Sequence, residues 1–445
     1  MATTATDQAL SDWQELYRRR LVSAEEAVAQ IKSGDRIWVP LGQRVGLLLA
    51  ALLGRADELE GVEVTGAAAA NMGWFSDEMQ RHIRTNILFA SFLTREPLAQ
   101  KQAGYTPWWV WGGHKALEEG RPGAKPLDVA MISVTPPNRS GYCCFGNWLW
   151  DAKTAAAHAR LVLAEVNDQL PRTFGDTWIH VSEIDAFVEH SQPTPEASAI
   201  LYPPPEEQDR VIARYVASLI KHRDTIQIGT GSVTGNIPRL GVLNDKEDLG
   251  YFAELTVPGM IDLVKNGVIT SKYLESHPGT FVTTTAGNDP AEVAYIDDNP
   301  MFEFYGVDFM HHPGIIARND NMVAINNAIT IDLTGQIGAG TIGPRIWSGT
   351  GGHFAYALGA LLSKGGRYIC VLPSTAAGGT ISRIVPQFEP GQIVTVPRDI
   401  ADIVVSEYGI AHLLNKTQRE RANELIAIAH PDFRAELRRE AERLL

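Results

Sequence analysis

Short runs rich in apolar residues alternate along the chain with stretches whose apolar positions recur at helical spacing. Leu161-Val-Leu-Ala-Glu-Val166 and Tyr368-Ile-Cys-Val-Leu372 are of the first kind. Val211, Ile212, Tyr215, Val216, Leu219 and Ile220 are of the second, and they mark one face of a helix. Such alternation predicts an α/β protein built on open parallel sheets covered by helices. The last segment begins at Pro431-Asp432 and runs charged and amphipathic to Leu445, which predicts a C-terminal helix.

A short internal repeat divides this pattern. A helical stretch over Ala24–Lys32 leads into Asp35-Arg-Ile37-Trp-Val39-Pro-Leu-Gly42. The helix at Val211–His222 leads into Asp224-Thr-Ile226-Gln-Ile228-Gly-Thr-Gly231. Both read Asp-x-Ile-x-(Val/Ile)-x-x-Gly after a helix, as though each half opened with one helix–strand–turn unit. Between His190 and Gln208 the chain turns proline-rich (Pro193, Pro195, Pro203, Pro204, Pro205), as a linker would. Two domains of similar size are expected, residues 1–200 and 206–445, joined near 191–207.

Composition agrees with that division, since 445 residues exceed what one core usually holds. Apolar content of 44% and charged content of 20% are those of an ordinary globular chain. A net charge of −13 argues against nucleic acid or an anionic membrane as partner. Cys143, Cys144 and Cys370 make neither a disulfide framework nor a CxxC metal site, a usage that suits a reducing cytoplasm. The N-terminus shows no basic-then-apolar signal, and no apolar run is long enough to span a bilayer. The expectation is a cytoplasmic protein acting on small molecules.

The chemistry concentrates in the second half. The strand Thr225-Ile-Gln-Ile228 feeds Gly229-Thr-Gly231-Ser-Val-Thr-Gly235, a turn whose glycines let backbone N–H groups come close to a ligand. Two dozen residues on, Glu254 stands among Tyr251, Phe252, Ala253, Leu255 and Val257. A poorly hydrated carboxylate is costly as structure but useful as a nucleophile, although a surface Glu on a strand edge fits the segment equally. A second cluster, Ser348-Gly349-Thr-Gly351-Gly352-His353, precedes an apolar helix and suits an anionic ligand, or serves only as a tight turn. A third, Ser374-Thr-Ala-Ala-Gly378-Gly379-Thr, follows the strand Ile369–Leu372. Three glycine turns after strands in one half point to a cleft at the carboxyl edge of a parallel sheet. HExxH, GxxxxGK[ST], GxSxG and CxxC are absent, and the first turn reads GxGxxxG, one residue away from a dinucleotide fingerprint. His311-His312 has no ligand at useful spacing and is read as a structural or supporting pair, not a metal site.

These residues carry a resemblance. Ile226-Gln-Ile-Gly-Thr-Gly231, Asp248-Leu-Gly-Tyr-Phe-Ala-Glu254, Asp332-Leu-Thr-Gly-Gln336, Ser348-Gly-Thr-Gly-Gly352 and above all Val404-Val-Ser-Glu-Tyr-Gly-Ile-Ala-His-Leu413 look like the acetyl-CoA hydrolase/transferase family. Asp128-Val-Ala-Met-Ile-Ser-Val-Thr-Pro-Pro137 and Ala164-Glu-Val-Asn167 extend the likeness into the first half. The chain also departs from it. The family usually reads His-Thr-Glu-Met where Phe252-Ala253-Glu254-Leu255 stands, and often Gln-Val-Asp-Phe where His353-Phe354-Ala355-Tyr356 stands.

The resemblance implies two open parallel-sheet domains of CoA-transferase type with the active cleft between them, assembled as a homodimer or homotetramer. It implies a CoA-transferase that moves CoA between an acyl-CoA and a small carboxylic acid through a glutamyl-CoA thioester. Glu254 would be the nucleophile, and the Gln227 amide would be an oxyanion donor. Coenzyme A would be substrate, with no permanently bound cofactor, lying against Gly229, Gly231, Ser232, Val233, Gly349, Gly351, Gly352 and Gly378. Lys364 and Arg367 are candidate phosphate contacts or plain surface charges, and Glu407 is assigned a structural role. The apolar replacements at Phe252, Ala253, Phe354, Ala355 and Tyr356 favour an apolar acyl group over 4-hydroxybutyrate. The alternative activity is acyl-CoA hydrolysis by the same glutamate. A sugar-phosphate isomerase and a non-catalytic CoA-binding protein are more distant readings.

Overall fold

The computed structural model describes residues 5–66, 73–194, 202–349 and 351–445, with the backbone alone for 5–11. The chain divides into two compact units. One comprises Met1–Pro195 with Thr284–Asp308, the other Glu196–Thr283 with Phe309–Leu445. The sequence pattern gives no sign of that return through Thr284–Asp308. Part of the proline-rich junction, residues 195–201, lies outside the described residues.

The first unit is built on seven parallel strands: β1 (Arg36–Val39), β2 (Val62–Gly66), β3 (Ile83–Ile87), β4 (Gly104–Tyr105), β5 (Val129–Val134), β6 (Leu161–Val166) and β7 (Ala186–Glu189). Their order is β7-β6-β5-β1-β2-β3-β4. Every residue of β5 and β6 is buried, which is why these strands read as continuous apolar runs without alternation.

The second unit carries β8 (Thr225–Ile228), β9 (Gly250–Tyr251), β10 (Met322–Asn327), β11 (Arg367–Val371), β12 (Ile403–Ser406) and β13 (Gly409–His412) in the order β9-β8-β10-β11-β12-β13. All neighbours run parallel except the β12–β13 hairpin. The helix expected before β8 is α1 (Glu207–Leu219), with Ile212, Ala213, Val216 and Ala217 buried along the apolar stripe. Helix α2 (His353–Leu362) packs beside β10 and β11, and the chain ends in α3 (Gln418–Ile428) and α4 (Pro431–Leu444). Among the described residues no helix is long and apolar enough to cross a membrane.

The Asp-x-Ile repeat has a physical basis. Asp35 Oδ2 accepts the backbone N–H of Lys32 at 2.9 Å, and Asp224 Oδ2 accepts that of Lys221 at 2.6 Å. Each aspartate also pairs with an arginine at the start of the strand two places away, Arg160 before β6 and Arg367 opening β11. Asp and Arg together pin the amino edge of each sheet. Burial raises the Asp224 carboxyl above its ordinary value, outweighing the Arg367 guanidinium. Arg367→Met strands that carboxyl and should lower unfolding stability by about 3 kcal/mol. The exposed Lys364–Asp320 pair is the control, and Lys364→Met should stay within about 0.5 kcal/mol. Urea titration of the two variants checks the contrast, and equal losses would refute it.

Candidate active site

The glycine turn after β8 sits between side chains of β10. Gln227 and Asn326, both buried, form a reciprocal amide pair: Gln227 Nε2 donates to Asn326 Oδ1 at 3.1 Å, and Asn326 Nδ2 donates to Gln227 Oε1 at 2.9 Å. One Gln227 N–H is committed there, and its amide carries a second. Asn327 Nδ2 donates to Thr230 O at 3.1 Å and to the Thr234 hydroxyl, crossing Gly231 so closely that any Cβ there would overlap it. Asn236 Nδ2 holds Ser232 O at 2.6 Å. Ser232 is exposed, whereas Val233 is buried, so Ser232 is the residue of this pair that faces outward.

Glu254 follows β9, the edge neighbour of β8. Phe252 bridges to Val282, and the Ala253 N–H donates to Val282 O at 3.2 Å. Tyr251 stacks on Phe281 with centroids 3.9 Å apart, and its hydroxyl donates to Leu255 O at 2.5 Å. The carboxylate is therefore held from both sides in sequence, at the carboxyl edge of the sheet. Its side chain is 14% exposed, and Oε2 hydrogen-bonds Nε2 of His311, which is fully buried.

His311 is thus brought to the carboxylate itself, closer than the supporting place expected of it. Its neighbour His312 does the structural work, accepting the Gly314 N–H at 3.1 Å as the cap of a turn that opens with Pro313. The turn Pro313–Ile316 packs on α2 where Gly359 leaves room, since a Cβ there would stand 2.6 Å from Ile316 Cβ. At the head of the same helix Gly352 does the equivalent for chemistry: a Cβ on it would lie 2.6 Å from Glu254 Oε2 and overlap the His311 ring. The carboxylate abuts the N-terminus of a ten-residue helix, where the backbone dipole favours negative charge. Tyr356, one turn into α2 and wholly buried, meets the His311 ring edge-on at 5.5 Å.

The remaining turns lie on the same carboxyl edge. After β11, the Ser374 N–H and hydroxyl donate to Glu407 at 2.8 and 2.6 Å, so Glu407 ties the turns that follow β11 and β12 together. Gly378 is exposed with φ +65°, and its need for glycine is conformational, because a Cβ would meet nothing. Gly349 is buried, Gly351 has φ +49°, and Thr350 between them lies outside the described residues. The basic pair and three of the apolar replacements also have definite places. Lys364 and Arg367 stand at the amino edge, paired with Asp320 and Asp224, so neither is on the side that carries Glu254. Phe252, Ala253 and Ala355 are fully buried, with Phe252 tilted against Phe309 at 6.2 Å, so they form packing around the carboxylate and not an open acyl wall.

His353, the first residue of α2, shares a 2.6 Å hydrogen bond between its Nε2 and the Tyr368 hydroxyl. Burial lowers its pKa from 6.5 to about 4. The folded pKa lies below the unfolded one, so the folded state binds fewer protons in that window, and stability is lost as pH falls through it. The loss should reach about 3 kcal/mol by pH 4. His353→Gln should remove that component, flattening the pH dependence of the unfolding midpoint between 6.5 and 4. An unchanged acid limb in the variant would contradict it.

The N-terminal domain model of the acetyl-CoA hydrolase/transferase family matches residues 5–196 and its C-terminal domain model matches residues 291–441. The chain is 41% identical to a 4-hydroxybutyrate coenzyme A transferase of Clostridium kluyveri over 433 residues, covering 96% of this chain and 99% of that one. It is 31% identical to a butyryl-CoA:acetate CoA-transferase of Anaerostipes caccae, covering 97% and 98%. Among solved structures, RipA from Yersinia pestis superposes with a TM-score of 0.90 at 32% identity, covering 97% of this chain and 99% of that one. A 4-hydroxybutyrate CoA-transferase from Porphyromonas gingivalis gives 0.82 at 33%, covering 97% and 100%. With both domain models matched in order and relatives aligned along nearly their whole length, this chain belongs to the acetyl-CoA hydrolase/transferase family.

Proposed function

We propose that this protein is an acyl-CoA:carboxylate CoA-transferase that works through a covalent intermediate on Glu254. The observation that carries the reading is a nearly buried carboxylate held between the His311 imidazole and a glycine-headed helix N-terminus. Relatives named for 4-hydroxybutyrate, for butyryl-CoA and acetate, and for succinyl-CoA and cyclohexane-1-carboxylate differ in acid but share the exchange.

In the proposed cycle, the Glu254 carboxylate, hydrogen-bonded at Oε2 to His311, attacks the thioester carbonyl of the acyl-CoA. The C–S bond breaks, giving an acyl-glutamyl anhydride and CoA thiolate. The thiolate attacks the glutamyl carbonyl, the donor acid leaves as carboxylate, and a glutamyl-CoA thioester remains. An acceptor carboxylate returns the CoA by the reverse steps. Each tetrahedral oxyanion needs donors already in place, and the free N–H of Gln227 and the backbone of the Gly229–Val233 turn are the candidates. Coenzyme A would lie along that turn and along the turns at Gly349, Gly351, Gly352 and Gly378. Hydrolysis differs only in that water takes the place of the acceptor acid, so the dryness of the carboxylate favours exchange.

Glu254→Gln should keep the fold and abolish exchange, and Glu254→Asp should lose roughly a hundredfold, because about 1 Å of retreat suffices for that. Intact-protein mass spectrometry after acyl-CoA treatment should show the CoA adduct on the unaltered chain. Borohydride should then reduce the thioester at Glu254. Near-normal exchange by Glu254→Ala would end the proposal, and release of free acid with no dependence on acceptor would shift it to the hydrolase.

Gly352→Ala offers an independent check on the geometry. Its backbone (φ −81°, ψ −1°) suits alanine, so only the approach to Glu254 and His311 is altered. Exchange should fall by about a hundredfold or more, with no more than the roughly 1–3 kcal/mol of stability that overpacking costs. Full activity in this variant would mean that the carboxylate does not react from the position described.

A further inference from the structure

The Tyr356 hydroxyl is a buried polar group with no hydrogen-bond partner among the described residues. An unsatisfied buried hydroxyl is destabilising, so its presence calls for a physical reason. The resembling family often reads Phe at this place, and Tyr356 differs from Phe by that oxygen alone. Its position narrows the reason. Side chains on a helix lean toward the N-terminus, so Tyr356 lies over the turn headed by Gly352, four residues earlier, to whose carbonyl its own N–H is bonded. Gly352 is the residue against which Glu254 and His311 sit, and the Tyr356 ring meets the His311 ring edge-on.

We propose that Tyr356 is a catalytic hydrogen-bond donor, held unpartnered until charge develops on the glutamyl carbonyl oxygen. The proposal rests on Glu254 being the nucleophile. When CoA thiolate attacks the acyl-glutamyl anhydride, a C–S bond forms and the carbonyl pair moves onto oxygen. As that pair returns, the C–O bond to the acyl group breaks and the carboxylate leaves with its electrons. Tyr356 donates to the transient oxyanion throughout and keeps its proton. Burial, then the nearby Glu254 charge, raises the phenol well above its ordinary pKa, so it stays protonated and able to donate. In the resting state Glu254 already receives the His311 imidazole, and the second donor is satisfied only when the reacting carbon becomes tetrahedral. An interaction made only there raises kcat and leaves KM alone.

The test is Tyr356→Phe, which removes one oxygen and no packing. Exchange kcat should fall by about 100-fold, with the KM for acyl-CoA moved by less than about threefold. The rate of glutamyl-CoA formation in a single turnover should fall by the same factor. The melting midpoint should stay level or rise, since an unsatisfied hydroxyl has been deleted. A kcat within threefold of the unaltered protein overturns the proposal, and so does a loss of activity accompanied by a lower melting midpoint, which would mark a structural hydroxyl. Glu254→Gln is assayed alongside. If that variant keeps exchange, the nucleophile assignment itself has failed. If it is inactive while Tyr356→Phe is fully active, only the role given to Tyr356 falls.

Discussion

Everything in the second unit converges on one close approach, that of the Glu254 carboxylate to the Cα of Gly352. A carboxylate this dry is expensive unless its charge is met by hydrogen bonds and dipoles. Here the His311 imidazole supplies the first and the N-terminus of α2 the second. Neither reaches the carboxylate if residue 352 has a Cβ. The rest of the unit serves that contact. The β8–β9 pairing sets where Glu254 emerges, and β10 and β11 carry the helix whose head meets it. The packing of Ile316 into the space above Gly359 seats the His311 segment on the same helix. Two glycines seven residues apart thus locate the base of one side chain and the partner of another.

The two units show how one helix–strand–turn plan is put to different uses. Both pin the amino edge of the sheet with an aspartate that closes its own turn and reaches an arginine two strands away. At the carboxyl edge they diverge. In the first unit the indole of Trp148 fills the space beside Gly42, and Gln43 is spent on the Ser133 N–H and the Trp148 carbonyl. In the second, slender asparagine side chains pin the turn at Gly231, so its backbone stays near the surface. Stability is thus fixed at one edge of each sheet, while the other edge is free to be plugged or opened.

The sequence made the architecture legible wherever the signal was local and repeated. Continuous apolar runs gave β6 and β11, the stripe from Val211 to Ile220 gave α1, and the Asp-x-Ile motif marked β1 and β8, one in each unit. Glu254 stood out because a charge among five apolar residues is rare, and Glu407 because its motif is long. The return of Thr284–Asp308 to the first unit was not legible, since a crossing between units leaves no periodicity. Nor was the division of labour between His311 and His312. Adjacent histidines look alike in a sequence, and only the cap before Pro313 turns one outward and leaves the other facing the carboxylate. Lys364 and Arg367 were placed near the glycine turns by proximity in the chain. The strand between them and those turns carries them to opposite edges of the sheet.

The departures from the family pattern take on a common sense once the packing is known. Phe252, Ala253 and Ala355 replace groups that could hydrogen-bond, and all three are fully buried close to Glu254 in sequence or on the helix that meets it. Their effect is to make the surroundings of the carboxylate less polar. In such surroundings each remaining donor acts more strongly, and each unpaired one costs more. A site that gives up several weak partners can therefore depend on few strong ones, provided these are fixed by packing before the reaction begins. His311 is fixed by the Pro313 turn and by the edge of Tyr356, and Tyr356 by the helix beneath it. Apolar packing at 253 and 355 and the polar atoms at 311 and 356 thus belong to the same elements, so the packing that dries the glutamate also fixes the groups that face it.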